Sequence, residues 1–137
     1  MFLNNQKITI IRVPRPSNRT INTDLQWLGT SLGMINLRDK DKSCFRIFIE
    51  LLKASKTHTM LSSDELALKL NLSRGTVIHH LTKLINSGIA ISYKNRYQLR
   101  VTDLSALIEE IERDLLQTLE ELKKTALNID EKLLAER

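Results

Sequence analysis

Apolar positions change rhythm several times along the chain, and each rhythm predicts a different element. Over residues 1–13, β-branched residues gather at Ile8, Thr9, Ile10, Ile11 and Val13, the composition of an extended segment. Pro14 and Pro16 forbid helix and set off Arg15-Pro16-Ser17-Asn18-Arg19 as an arm. Asp24 is placed to cap a short helix carrying Leu25, Trp27, Leu28 and Leu32. Gly29 and Gly33 either weaken that helix or admit a close neighbour. From about Asp39, the residues Cys44, Phe45, Ile47, Phe48, Leu51 and Leu52 recur at three and four positions, which predicts a helix with a broad buried face. Residues 57–61 form a short extended piece suited to a single β-bridge.

The next forty residues are dense in stop and start signals. Ser62 followed by Glu65 is a capping box, in which each side chain satisfies an orphan backbone donor of the helix that begins there. Leu66, Ala67 and Leu70 form its inner face, and Asn71-Leu72 breaks it. Ser73 caps a further helix through Val77, Leu81, Leu84 and Ile85 to Asn86, and Gly88 ends it. Ile89, Ile91 and Tyr93, then Lys94-Asn95-Arg96, then Tyr97 and Leu99 predict a hairpin about a short polar turn. Beyond Asp103 there is neither Gly nor Pro. Ile108, Ile111, Leu115, Leu119, Leu122, Ala126, Ile129 and Leu133 mark a heptad stripe with one stutter. About thirty residues of helix span roughly 45–50 Å, longer than a small domain needs. Such a stripe predicts a partner helix.

Charge divides the chain at the same place. The 137 residues carry a formal +5, but residues 1–102 hold sixteen Lys/Arg against six Asp/Glu, and residues 103–137 hold five against ten. A body of +10 therefore precedes a tail of −5, which assigns any polyanion to the body and keeps the tail away from phosphates. Aromatic residues make up 4%, too few for a surface that works by stacking unpaired bases. No apolar run is long enough to span a bilayer, no signal peptide is expected, and the single Cys44 fits a reducing cytoplasm.

The run Leu72-Ser73-Arg74-Gly75-Thr76-Val77-Ile78-His79-His80-Leu81-Thr82-Lys83-Leu84 resembles the recognition helix of the arsenic-repressor-type (ArsR-like) winged-helix regulators. Asn86-Ser87-Gly88-Ile89 resembles their exit into the wing, and Tyr97-Gln98-Leu99 the returning strand. The likeness covers roughly residues 39–100 and implies a winged helix-turn-helix that reads duplex DNA. On this reading the DNA-binding residues are Ser73, Arg74, Thr76, His79 and Lys83 on the helix, with Lys94 and Arg96 at the wing tip. Relatives carry a small polar residue where this chain has Ile78. An inward turn of Ile78 into the core is expected, with contact to a thymine methyl as the alternative. The Arg12, Arg15 and Arg19 arm is expected to be a flexible or strand-swapped terminus carrying ordinary solubilising charge, with a minor-groove contact as its alternative. Trp27 is expected to pack in the core or in a dimer.

Several relatives sense metals through paired cysteines or through ligands on the last helix. Here Cys44 is alone, the last helix lacks His, and the adjacent His79 and His80 point apart, so neither metal nor cofactor is expected. His80 is expected near the helix surface as a packing or hydrogen-bonding residue, and Cys44 as a buried structural thiol. No nucleophile–base pair or phosphate loop can be assembled, so no enzyme is expected.

The expected fold class is mainly α (α+β). A basic extended arm (1–22) precedes a winged helix-turn-helix domain (23–102) and a long C-terminal dimerisation helix (103–137). The expected function is a double-stranded DNA-binding transcriptional regulator. It would act as a cytoplasmic, DNA-associated homodimer held through residues 103–135 and the 24–35 helix. Two other readings fit the same elements: a winged-helix assembly module, and an architectural chromatin protein that binds DNA without sequence preference.

Overall fold

The structure is a computed structural model in which residues 5–36 and 38–136 are described; the start of the expected extended segment, residues 1–4, lies outside them. In chain order the elements are α1 (Ile21–Ser31), α2 (Ser43–Ser55), β1 (Leu61–Ser62), α3 (Ser63–Leu70), α4 (Arg74–Asn86), β2 (Ala90–Tyr93), β3 (Arg96–Leu99) and α5 (Leu104–Ala135). The fold is mainly helical, with one small antiparallel sheet of order β1-β3-β2 and a long last helix.

Local chemistry explains most boundaries. Ser62 and Glu65 form the expected capping box: the Ser62 hydroxyl accepts from the Glu65 amide at 3.1 Å, and the Ser62 amide donates to Glu65 Oε1 at 3.2 Å. Asn71 ends α3 in the left-handed region at φ 55°, and the Ser73 hydroxyl accepts the Thr76 amide to start α4. Two helix starts differ from expectation. Thr20, not Asp24, caps α1 through a reciprocal box with Thr23, which leaves the Asp24 carboxylate to pair with Arg19 at 2.8 Å. The second helix begins at Ser43 rather than near Asp39, because Lys42 sits at φ 54° and interrupts the turn. Asp39 still serves that helix, accepting a bond from the Cys44 amide at 3.3 Å.

The core is one cluster. Ile47, Phe48 and Leu51 of α2 meet Leu66 of α3, Val77, Leu81 and Leu84 of α4, and Leu99 of β3, all nearly or wholly buried. Met34, in the loop after α1, joins them with 1% exposure. Phe45 closes α2 against α1 over Gly29, where an added Cβ would lie 2.6 Å from the ring. Glu50 is the buried acid of this core. Burial pushes its carboxyl up, but the ammonium groups of Lys69 at 3.0 Å and Lys53 at 3.3 Å outweigh that and leave it below the ordinary value.

The segment before α1 lies along the body. The Lys7 amide donates to Asn86 O, the Ile11 amide to Ser31 O, and Trp27 Nε1 to Val13 O. Ile8 packs against the core. Gly88, just past α4, takes φ +78°, which an L side chain resists, and a Cβ there would meet Gln6 Nε2 at 2.5 Å and Arg100 Nη1 at 3.3 Å.

Helix α5 has two parts. Asp103 caps it, accepting from the Ala106 amide at 2.7 Å, and Leu107 and Ile111 bury against the body. Beyond Ile111 no described residue of α5 is buried. The first member of the expected stripe, Ile108, is 39% exposed; the anchoring side is Leu104, Leu107 and Ile111. Leu115 is half-buried; from Leu119 the stripe faces solvent for about four further turns, and Leu116, Leu127 and Leu134, each one position past a stripe residue, widen it.

Candidate nucleic-acid interface

Helix α4 is held by one side and open on the other. Val77, Leu81 and Leu84 recur at four and three residues and bury against α2 and α3, so the opposite side must face away from the core. Gly75, Ile78, His79 and Thr82 occupy it and are exposed. An added Cβ at Gly75 would find nothing within 4 Å, so the helix backbone itself is accessible there. Ile78 corrects the expectation of an inward turn. It is 37% exposed, because the buried stripe is already filled by Val77 and Leu81 on either side of it in the helical sequence.

The seven residues expected from the sequence separate by what already holds them. Ser73 caps the helix by accepting the Thr76 amide, and its hydroxyl donates to the Thr76 hydroxyl at 2.8 Å. Arg74 projects from the first turn with its Nε 3.5 Å from Asp64 Oδ1, both side chains mostly solvated, a pair too exposed to hold the guanidinium against a better partner. His79 is exposed, its ring packed edgewise on His80. Lys83 reaches across to Gly33 O at 3.2 Å.

The wing assigns its two basic residues opposite roles. Lys94 and Asn95, at φ 50° and 61°, form the two-residue turn that matches the twist of a tight hairpin. Arg96 is not in the turn but opens β3, paired with Tyr93, and its Nη1 lies 2.9 Å from Glu65 Oε1 and 3.2 Å from Met60 O. Lys94 is therefore the cation presented at the tip, while Arg96 braces the wing against the α3 capping box.

Residues 61–90 match the family model of winged helix-turn-helix DNA-binding domains. The fold is a winged helix-turn-helix. The match runs from β1 through α3 and α4 to the first residue of β2, so it contains the whole helix-turn-helix and the exposed face of α4. No curated protein and no solved structure matches the chain.

Within this winged helix, His80 of α4 is half-buried beside Asp39, and Cys44 of α2 is buried in the core. Burial lowers the His80 imidazole below its ordinary value of 6.5 against the opposing charge of Asp39, whose carboxylate lies 4.0 Å away. A neutral His80 makes that contact dipolar rather than ionic near pH 7. Burial likewise pushes the Cys44 thiol up to about 11, so its nucleophilic thiolate is scarce at neutral pH. Among the described residues no three His, Cys, Asp or Glu side chains are grouped to hold a metal ion, and no helix is long and apolar enough to cross a membrane.

The basic arm is occupied in part. Arg15 lies 4.7 Å above the Trp27 ring, and Arg19 is paired with Asp24. What the sequence did not reveal is a groove beside the C-terminal half of α4, whose other wall is Asn5, Lys7 and Thr9. Only the alternation of Lys7 and Thr9 with Ile8 hinted at a strand with one polar side.

Proposed function

We propose that the protein is a non-catalytic transcriptional regulator that binds double-stranded DNA as a homodimer, within the arsenic-repressor-type group of winged helices. The carrying observation is the uncovered face of α4: Gly75, Ile78, His79 and Thr82, with Arg74 at the leading end, face solvent inside a matched helix-turn-helix. A helix of this width fits a major groove, and its N-terminal residues approach base edges. Arg74 reads guanine through its forked donors, His79 and Lys83 contact bases or phosphates farther along, and the first-turn amides that the Ser73 cap leaves free face a phosphate. Lys94 grips the backbone at the wing tip.

Dimerisation belongs to α5 and to the α1 region. The exposed stripe from Leu119 to Leu133 needs cover, and its width, broader than a two-position seam, suits contact with more than one helix of a partner. Two-fold pairing would repeat the recognition helices about 34 Å apart and match an inverted repeat. The winged-helix run Thr76-Val77 followed by His79-His80-Leu81 and Leu84 supports the subgroup. A cytoplasmic, DNA-associated location follows from this reading.

Selection of bound duplexes from a random pool, with salt titration on the winner and on a scrambled duplex, tests it. A regulator binds the selected duplex far more tightly than the scrambled one at equal salt. Equal, salt-sensitive affinity for both would convert the reading to an architectural protein, and no binding at low salt would leave an assembly module.

A further inference from the structure

Between the N-terminal segment and α4 runs an open groove of about 580 Å³. Asn5, Lys7 and Thr9 line one wall; His79, Lys83 and Asn86 are prominent on the other, and no carboxylate lines either. The wall on the N-terminal side is built by alternation. Odd positions face the groove, whereas Gln6 turns to Asp114 Oδ2 at 2.9 Å and Ile8 to the core. The backbone is fixed in register by the Lys7 amide, which donates to Asn86 O at 2.8 Å. Lys7 is thus a solvent-facing ammonium on a backbone tied to the end of α4 itself, and not a charge on a loose tail.

We propose that this groove holds the sugar-phosphate backbone of the DNA strand that borders the major groove read by α4, with Lys7 as a phosphate-binding residue. The inference rests on the DNA-binding reading above and extends it to a segment before α1. Three features select a phosphodiester backbone. The residues that line it all carry polar groups, two are lysines, and none is an acid. Its α4 wall shares His79 with the face offered to base edges, so a strand beside that helix passes through it. The amide, hydroxyl and ammonium groups of Asn5, Thr9 and Lys7 are the donors phosphates take, and such contacts fix register without reading sequence.

Fluorescence anisotropy on the duplex selected from the random pool, and on its scrambled counterpart, tests this with wild type, K7Q and K7R. Losing one phosphate contact in each protomer of the dimer should make the log–log salt slope of K7Q shallower by about 1.8, so that its affinity loss between about 50 and 200 mM salt is roughly twelvefold smaller than that of wild type. The ratio between selected and scrambled duplexes should not change, and K7R should restore the slope. Replacing single phosphates by neutral methylphosphonates should reveal a position at which wild type weakens and K7Q does not. An unchanged slope for K7Q, with wild type binding DNA normally, overturns the groove assignment and leaves the DNA reading intact. Failure of wild type to bind either duplex overturns both.

Discussion

Arg100 holds Asp114 by two parallel bonds, Nη1 to Oδ2 at 2.6 Å and Nη2 to Oδ1 at 3.2 Å. The pair joins the end of the wing to the anchored turns of α5, and Gln6 donates to the same carboxylate from the N-terminal segment. Three stretches far apart in sequence thus meet on one side chain, beside the Gly88 backbone.

The Arg100 hydrogen bonds, opposed by partial burial, hold the Asp114 carboxyl below its ordinary value of 3.8. A depressed carboxylate contributes stability that is present above the unfolded value and lost as pH falls through the folded one. Asp114→Asn should therefore cost about 1–2 kcal/mol at pH 7 and flatten the acid side of the stability curve below about pH 4. Urea unfolding at a series of pH values measures both, and an unchanged acid limb would show the pair to be idle.

Gly75 separates stability from binding. Its side of α4 is empty, so Gly75→Ala should be tolerated and should raise stability by up to about 0.5–1 kcal/mol through helix propensity. If the DNA backbone or a base approaches the helix there, the same methyl should weaken duplex binding by about tenfold, roughly 1.4 kcal/mol. Thermal unfolding and anisotropy on one preparation give both numbers; a variant that is more stable and binds as well removes Gly75 from the interface.

Ile78 has no counterpart among polar base readers, and its exposure suits it to a thymine methyl. Replacing the contacted thymine by uracil should cost wild type about 0.8 kcal/mol, about fourfold, the worth of one buried carbon. Ile78→Ala should bind thymine and uracil duplexes equally. Continued discrimination by the variant would assign the preference to another side chain.

The α5 stripe predicts the oligomer. Leu119 and Leu122 are 41% and 58% exposed in the single chain, so Leu119→Glu with Leu122→Glu should leave the winged helix folded. Light scattering should show the doubly substituted chain at monomer mass where wild type is a dimer. Affinity for an inverted repeat should fall by about 100-fold or more as bivalency is lost. A dimer that survives both changes would place the interface at α1 instead.

The local code of the fold was legible in the residues themselves. The Ser62–Glu65 box, the Ser73 cap, the left-handed Gly88 and the hairpin rhythm of residues 89–99 each act within a few positions, where propensity and hydrogen-bond geometry suffice. The basic body and acidic tail were equally plain. Contests between near-equal local options were not. Thr20 displaced Asp24 as a cap once Arg19 was there to take the carboxylate, and Lys42 in the left-handed region delayed α2.

Only tertiary structure decided which polar groups are spent and which are free. Arg96 and Lys94 are two positions apart and equally basic in sequence, yet one closes on Glu65 and Met60 while the other crowns the turn. Ile78 faces outward because Val77, Leu81 and Leu84 had already filled the core side of α4, a competition settled only when α2 packs there. Lys7 reaches α4 because a backbone bond links it to Asn86, across a sequence separation that no periodicity can span. Sequence determines rhythm, caps and charge because those are short-range; partnership across the fold is long-range, and it assigns each side chain to the core, to a brace or to the open face.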